Sequence, residues 1–434
     1  MDFGRSDDPS VQAQLDRLAQ LSVPQGRFGL QTITALMGRL GNPHRKLPPA
    51  FHVAGTNGKG SVCAFLRAIF EADGKVVHMT TSPHLVRYNE RIRVAGELIG
   101  DAELARLLEE VLDVSTDLGP SFFEVTIAAA FLAFSRADAD VCIVEVGLGG
   151  RFDATNVLEP AAVAVSAIAA LGLDHERFLL APEEGTPSSP MARIAFEKAG
   201  IAKRSVPLVA LDQVPEATSQ IIIRGESTRS PLALRGDDWS NRLIINEDKT
   251  HQLYRDRHGE IELPLPNLHG PHQLRNAGLA VAMIRHQDEV PVTNEALIRG
   301  LTEAQWPGRC QELAKGPLTG GREVWIDGGH NPSAGEAMAE FWANESLHVI
   351  IGMLANKNPD AIIEPLRPWC ASVTVVPVPG HDWHPREAFG RDATFAKDLP
   401  RALASLPKDQ RPVFITGSLY LVGEALRLND EIPT

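Results

Sequence analysis

Apolar and polar positions recur along this chain in two rhythms, and their order outlines a fold. Leu30, Ile33, Met37 and Leu40 follow helical spacing until Gly41, Asn42 and Pro43 stop the run. Ala50 to Ala54 reads as a buried strand. After a glycine-rich turn, Val62, Phe65, Leu66 and Ile69 fall on one helical face. Further strand-like runs lie at 75–81, 140–146, 161–168 and 207–211, with helical patterns at 101–114 and 122–137. Strand and helix in alternation predict a mostly parallel sheet with helices on both faces. From about 230 to 265 the texture changes to short alternating stretches (RLIIN, HQLYRD, EIELPL), which predict a small β excursion. Helical periodicity resumes at 272–286. A break at Trp306, Pro307, Gly308 and Arg309 then precedes a second alternating series at 323–327, 347–352, 372–378 and 412–416. Two domains are expected, 1–302 and 303–434, the second a smaller α/β unit. No internal repeat is visible, and 181–190 (APEEGTPSSP) reads as a surface loop.

Composition narrows the class. The 434 residues are 44% hydrophobic and 22% charged, ordinary for a globular protein. A net charge of −13 argues against a general nucleic-acid surface, which needs an excess of Lys and Arg. Cys63, Cys142, Cys310 and Cys370 are scattered without a CxxC pair, which suits a reducing compartment. The acidic, polar N-terminal stretch lacks the character of a secretory leader, and no apolar run is long enough for a bilayer. A cytoplasmic enzyme with no membrane or nucleic-acid partner is expected.

The turn Gly55-Thr56-Asn57-Gly58-Lys59-Gly60-Ser61 is the first candidate for chemistry. Strand, glycine-rich loop and helix in that order aim backbone N–H groups and a helix N-terminus at an anion. Lys59 would add a point charge for the β- and γ-phosphates of ATP. The common phosphate-loop pattern has a glycine where Val53 stands and a hydroxyl directly after the lysine, where Gly60 intervenes before Ser61. An irregular turn is the bland reading; the strand before and the helix after favour ATP.

A second glycine-rich turn, 147–150, follows the run that ends in Glu145. Ligands collect beyond the carboxyl ends of strands in such sheets, and a carboxylate there is a natural Mg²⁺ ligand. Pairing with Arg151 is the alternative. Ser82, ending another strand, could supply the hydroxyl that Gly60 cannot. Arg87, Arg91 and Arg93 just beyond it read equally as a solvated hairpin or as a trap for an anionic substrate. Read alone, His175 is a structural hydrogen-bonder and Lys198 a solvated helix lysine. Asn276, Arg309, Asp327 and His330 sit at element ends around the domain break, where a cleft would be lined. Ser418 and Tyr420 lie at a further helix start, with a cap or turn role as the simpler reading.

Together these stretches resemble the dihydrofolate synthase/folylpolyglutamate synthase family, relatives of the Mur ligases. HVAGTNGKGS, TSPHL, VEVGLGGRFDATN, EKAGI, HGPHQLRNA, PGR and DGGHNP occur in the family's order over nearly the whole chain. TSPHLVRYNERIRV and VEVGLGGRFDATN look specific to the folate branch. The resemblance implies an α/β fold with an N-terminal P-loop parallel-sheet domain and a smaller C-terminal Rossmann-like domain. It implies an ATP-dependent ligase joining L-glutamate to dihydropteroate or reduced folates through an acyl phosphate. Thr56, Asn57, Gly58, Lys59, Gly60, Ser61, Asn276, Arg309 and Asp327 would then contact ATP. Ser82, Glu145 and His175 would bind Mg²⁺, at one or two sites, and Lys198 would be carbamylated. Ser121, Phe122, Phe123, Phe152, Asp153, Ala154 and Arg87 would meet the pteroyl substrate, and His330, Ser418 and Tyr420 glutamate, in a monomeric enzyme. Two departures stand out: DGGHNP replaces DGAHNP, and the segment between His175 and Lys198 is longer than the family pattern. A Mur-type ligase is the nearest rival, but the segment before Phe51 leaves no room for its UDP-binding domain. A non-catalytic nucleotide-binding regulator is the rival from another class, and it would need no glutamate site.

Overall fold

The computed structural model describes residues 4–21, 29–246 and 249–434. They fall into two compact units. The first comprises Met1–Asn267 and Leu274–Gln305, the second Leu268–Gln273 and Trp306–Thr434.

The first unit is built on β1 (Ala50–Ala54), β2 (Val77–Thr80), β3 (Ile92–Val94), β4 (Glu97–Leu98), β5 (Val141–Glu145), β6 (Val163–Ile168), β7 (Leu208–Ala210) and β8 (Leu232–Leu234). They form one sheet in the order β4-β3-β2-β5-β1-β6-β7-β8. The six strands from β2 to β8 in that order pair in parallel, while β3 and β4 add an antiparallel hairpin at one edge. All residues of β1, β2, β5 and β6 are buried, as expected for strands covered on both faces. β1 thus lies between β5 and β6, with β2 next to β5, so the turns leaving β1, β2, β5 and β6 open on the same sheet edge.

Helix Lys59–Ala72 follows the first turn and buries Val62, Phe65, Leu66 and Ile69, the face expected from the pattern. Helix Phe122–Phe134 is buried at every position from Val125 onward and forms the centre of an apolar cluster with Leu104, Leu107, Leu108 and Val111 of helix Asp101–Val114. Burying each such Leu or Phe contributes about 1.5–3 kcal/mol relative to exposure. Ser121 and Glu124 cap its start reciprocally. A helix also forms at Pro9–Ala19, before the first expected element, where Asp8 accepts from two backbone N–H groups ahead of a proline in the first turn.

The β excursion divides in two. β8 joins the main sheet, and β9 (Ser240–Ile245), β10 (Thr250–Asp256) and β11 (Gly259–Leu263) form a separate antiparallel meander. The second unit carries β12 (Gln311–Glu312), β13 (Val324–Asp327), β14 (Leu347–Ile351), β15 (Cys370–Val375), β16 (Thr394–Phe395) and β17 (Val413–Thr416), in the order β12-β13-β17-β14-β15-β16. Only β12 runs antiparallel there. The fold is α/β in both units, and none of the described helices is long and apolar enough to cross a membrane.

Candidate active site

The turn after β1 is held from several directions. Gly58 adopts φ +85°, and a Cβ there would lie 2.4 Å from the Asn276 side-chain oxygen, so only glycine fits between loop and amide. Asn276 is itself buried. Thr56 Oγ1 donates to the Gly172 carbonyl at 3.0 Å, and the Thr56 and Asn57 N–H groups both donate to Ala170 O. Gly60 and Ser61 lie in the first turn of the helix that Lys59 opens, and Ser61 is buried.

Two lysines meet at one carbonyl. Lys59 Nζ donates to Gly55 O at 3.1 Å and Lys198 Nζ to the same oxygen at 2.9 Å. Lys198 is therefore not the solvated helix lysine that its local sequence suggests. It is 5% exposed, and burial, with Lys59 adding repulsion, lowers its pKa to about 7. Helical phase explains the difference: Pro190–Ala199 buries Ile194, Ala195 and Ala199, and Lys198 shares that face.

Glu145, at the end of β5, is buried and its Oε2 accepts the Ser82 N–H at 2.9 Å. Arg151, the alternative partner, is occupied elsewhere. Its guanidinium bonds Glu183 and Glu197, and Arg193 lies 2.9 Å from both of those carboxylates. Glu183 belongs to the 181–190 loop, so that extra length folds back onto the helix bearing Lys198 instead of displacing it. The Arg151 N–H also donates to Glu197 O at 2.7 Å, fastening the second glycine-rich turn to the same helix. His175 is a left-handed residue at φ +52°, exposed, with its ring 3.9 Å from the Asp174 carboxylate. Among the described residues, no three His, Cys, Asp or Glu side chains gather as a metal cluster. One buried carboxylate beside a hydroxyl-bearing residue nevertheless suits Mg²⁺, which takes one or two carboxylates and fills its shell with phosphate and water oxygens.

The second turn leans on the apolar helix. A Cβ at Gly147 would fall 2.3 Å from the Phe123 ring, so that ring packs on bare backbone. Phe122 meets Tyr88 edge-on, with the Arg91 guanidinium 5.5 Å from its centroid. Asp153 is buried. Its Oδ2 accepts the Leu148 N–H at 2.8 Å, and its Oδ1 accepts from the Thr155 N–H and hydroxyl. Burial raises its pKa despite those bonds. Phe152 lies under the Arg151 guanidinium at 4.1 Å, and Ala154 is buried.

The arginine segment is neither solvated nor wholly open to an anion. Arg91 is 2% exposed and donates to His84 Nδ1, while Arg93, also buried, donates to Gly96 O. Arg87, half-buried, shares its turn with Glu90, whose carboxylate accepts the Arg87 N–H.

In the second unit Asp327 ends β13 and is buried, accepting from the Cys310 and Gly329 N–H groups. Arg309 Nη1 lies 4.0 Å from it. His330 Nδ1 is 3.2 Å from Gly328 O. Ser418 is buried and caps helix Leu419–Leu428, and Tyr420 stacks on His381 at 3.9 Å.

Sequence reasoning missed Glu183, Glu197, His52 and Thr155. A histidine inside an otherwise apolar strand was the available signal for His52 and its threonine partner. Acidic residues among a loop's small and proline residues gave none for Glu183.

No family model matches the chain. Curated relatives do, over nearly full length. A dihydrofolate synthase/folylpolyglutamate synthase of Bacillus subtilis is 32% identical, covering 91% of this chain and 94% of its own. One of Mycobacterium tuberculosis is 34% identical over 86% of this chain and 78% of its own. Among solved structures, a Mycobacterium tuberculosis folylpolyglutamate synthase complexed with ADP and AMPPCP superposes with a TM-score of 0.83 at 30% identity, covering 98% and 99% of the two chains. Escherichia coli FolC in complex with DHPP and ADP gives a TM-score of 0.84 at 28% identity, covering 98% of each.

Proposed function

The chain belongs to the dihydrofolate synthase/folylpolyglutamate synthase family, and we propose that it joins L-glutamate to the carboxylate of dihydropteroate and of reduced folates, cleaving ATP to ADP and phosphate. The observation that carries this reading is the meeting of Lys59 and Lys198 on the Gly55 carbonyl, at the N-terminus of a helix. Lys59 and the helix N-terminus supply positive charge that suits a polyphosphate, and Lys198 reaches the same carbonyl as a largely neutral amine. Folate-named relatives along the full chain favour the main reading over the Mur-type alternative.

A pteroyl carboxylate oxygen attacks the γ-phosphorus and ADP leaves, giving an acyl phosphate. The glutamate amine then attacks the carbonyl carbon, the C–O bond breaks and phosphate departs with that oxygen. Lys59 and the N–H groups from Gly58 to Ser61 hold the phosphates and offset charge on the transferring group, while the Thr56 and Asn57 N–H groups pin the loop to Ala170 O. Asn276 braces the loop at Gly58. Glu145 and Ser82, with His175 assigned by its motif, would hold Mg²⁺, which would supply positive charge against the phosphates. Lys198 is the assigned site of carbamylation: a neutral amine adds CO₂ and releases a proton, placing an anion where the buried amine stood. Its depressed pKa supports that step, because the unprotonated amine is the reactive form.

Ser121, Phe122, Phe123, Phe152, Asp153 and Ala154, with Arg87, are assigned to the pteroyl group. Arg309 and Asp327 are assigned to the nucleotide and His330 to glutamate, each by its motif. Ser418 has the geometry of a helix cap, which supports a structural role, and Tyr420 is assigned no more than its stacking. The working setting is a cytoplasmic monomer, to which four unpaired cysteines are suited.

The test is ATP-dependent incorporation of labelled glutamate, run in parallel with dihydropteroate and a reduced folate. Turnover with both supports the proposal; turnover with one restricts it to that activity. No incorporation with either, while ATP still binds, overturns it.

A further inference from the structure

β1 carries one polar side chain, His52, among Ala50, Phe51, Val53 and Ala54, and it is fully buried. Its Nε2 lies 2.9 Å from Thr155 Oγ1. The Thr155 hydroxyl in turn donates to Asp153 Oδ1, the oxygen that also accepts the Thr155 N–H at 3.0 Å. A hydroxyl has one proton. With that proton directed at Asp153, Thr155 can only accept from His52, so the imidazole carries its proton on Nε2. His52 Nδ1 is buried and has no hydrogen-bond partner. An apolar residue would avoid that burden, so what sets His52 apart from its strand neighbours is the bond its Nε2 makes.

We infer that His52 and Thr155 are positioning residues that fix the Asp153 carboxylate and thereby set affinity for the pteroyl substrate. The inference rests on the assignment of Asp153 to that pocket. Two donors align in one direction, imidazole to hydroxyl and hydroxyl to carboxylate, and each bond strengthens the next. The Leu148 N–H holds the other carboxylate oxygen at 2.8 Å, so rotation about the Asp153 side chain is blocked from both ends. The relay also fastens this carboxylate to β1, the strand that runs directly into the phosphate loop. Burial keeps His52 neutral, with a pKa of about 3, so the relay holds one protonation state across the working range.

Full-length Thr155→Val, Thr155→Ser, His52→Leu, His52→Gln and Asp153→Asn variants test it through kcat and separate KM values for dihydropteroate and ATP. Losing one charge-assisted hydrogen bond predicts a rise of about tenfold in the dihydropteroate KM of Thr155→Val, with the ATP KM within about twofold. Thr155→Ser should restore the wild-type value. His52→Leu should raise the same constant by a smaller factor, and His52→Gln, which keeps an N–H donor, should recover most of it. A role in folding alone would lower thermal stability without this split and without rescue. A folded Thr155→Val enzyme with an unchanged dihydropteroate KM, beside an Asp153→Asn enzyme in which it rises, overturns the relay alone. If Asp153→Asn leaves that KM unchanged, the pocket assignment falls and the relay with it. If Thr155→Val does not fold, equal dihydropteroate KM values in the two His52 variants overturn the inference.

Discussion

Strand ends in the two units offer similar sequence signals, glycine followed by polar residues, yet their side chains are used differently. In the first unit Glu145 at the end of β5 reaches Ser82, Arg151 in the turn beyond reaches Glu183 and Glu197, and helix residues come in to meet the turns, Lys198 to Gly55 and Asn276 against Gly58. In the second, Ser418 and Asn331 accept N–H groups of their own helices' first turns, and Asp327 and Thr416 reach across to Cys310 and Met338. A polar residue after a strand is thus only a candidate. Convergence of several such residues from separate elements distinguishes a reactive site from a set of caps.

Breaking the convergence should have the largest effect. Lys59→Ala removes the charge assigned to the transferring phosphoryl group, and single donors of that kind are worth about 10²–10³ in kcat. Steady-state glutamate incorporation should fall by at least that factor, with thermal stability little changed.

The second lysine sharpens the contrast through pH. With its pKa lowered to about 7, the Lys198 amine is mostly neutral above that value, whereas an ordinary lysine is charged until about 10.5. ¹³C-bicarbonate labelling should give a carbamate signal that grows as pH rises through 7 and is missing in Lys198→Arg. The stability sign follows. Between 7 and 10.5 the unfolded chain binds the extra proton, so the destabilisation from burying this amine eases as pH rises through that window and is complete below it.

Next comes the charge network behind the site. Glu197→Ala would leave Arg151 and Arg193 short of a carboxylate, and breaking buried pairs costs about 3–5 kcal/mol. Because the Arg151 side chain is 21% exposed, the lower end is expected in urea unfolding. The smallest effect is expected in the second unit. Ser418→Ala should cost about 1 kcal/mol as a lost cap, and the glutamate KM should remain near wild type. A large rise in that KM would show that the two units differ less than their bonding suggests.

Much of the architecture was legible before any coordinates. β1, β5, β6, β13, β14 and β17 lie within the apolar runs expected for them, because buried parallel strands are apolar on both faces. The phosphate loop was legible for the same reason, as a break between a strand and a helix. Lys198 was not, since its immediate neighbours fit an exposed helix end and only its packed position reveals burial. Arg91 was misleading in a related way: an arginine in a short hairpin fits solvent or an anionic substrate, but its cover by Tyr88 and Phe122 comes from tertiary packing. Glu183 depends on a loop folding back across many residues, which no local pattern encodes.

The most direct test of the account follows an oxygen atom. Dihydropteroate labelled with ¹⁸O in its carboxylate is turned over with ATP and L-glutamate, and the inorganic phosphate is analysed by mass. Transfer through an acyl phosphate predicts one labelled oxygen in each phosphate released, and Lys59→Ala should form labelled phosphate at least about 10²-fold more slowly. Dihydrofolate formed alongside unlabelled phosphate would contradict the mechanism at its central step.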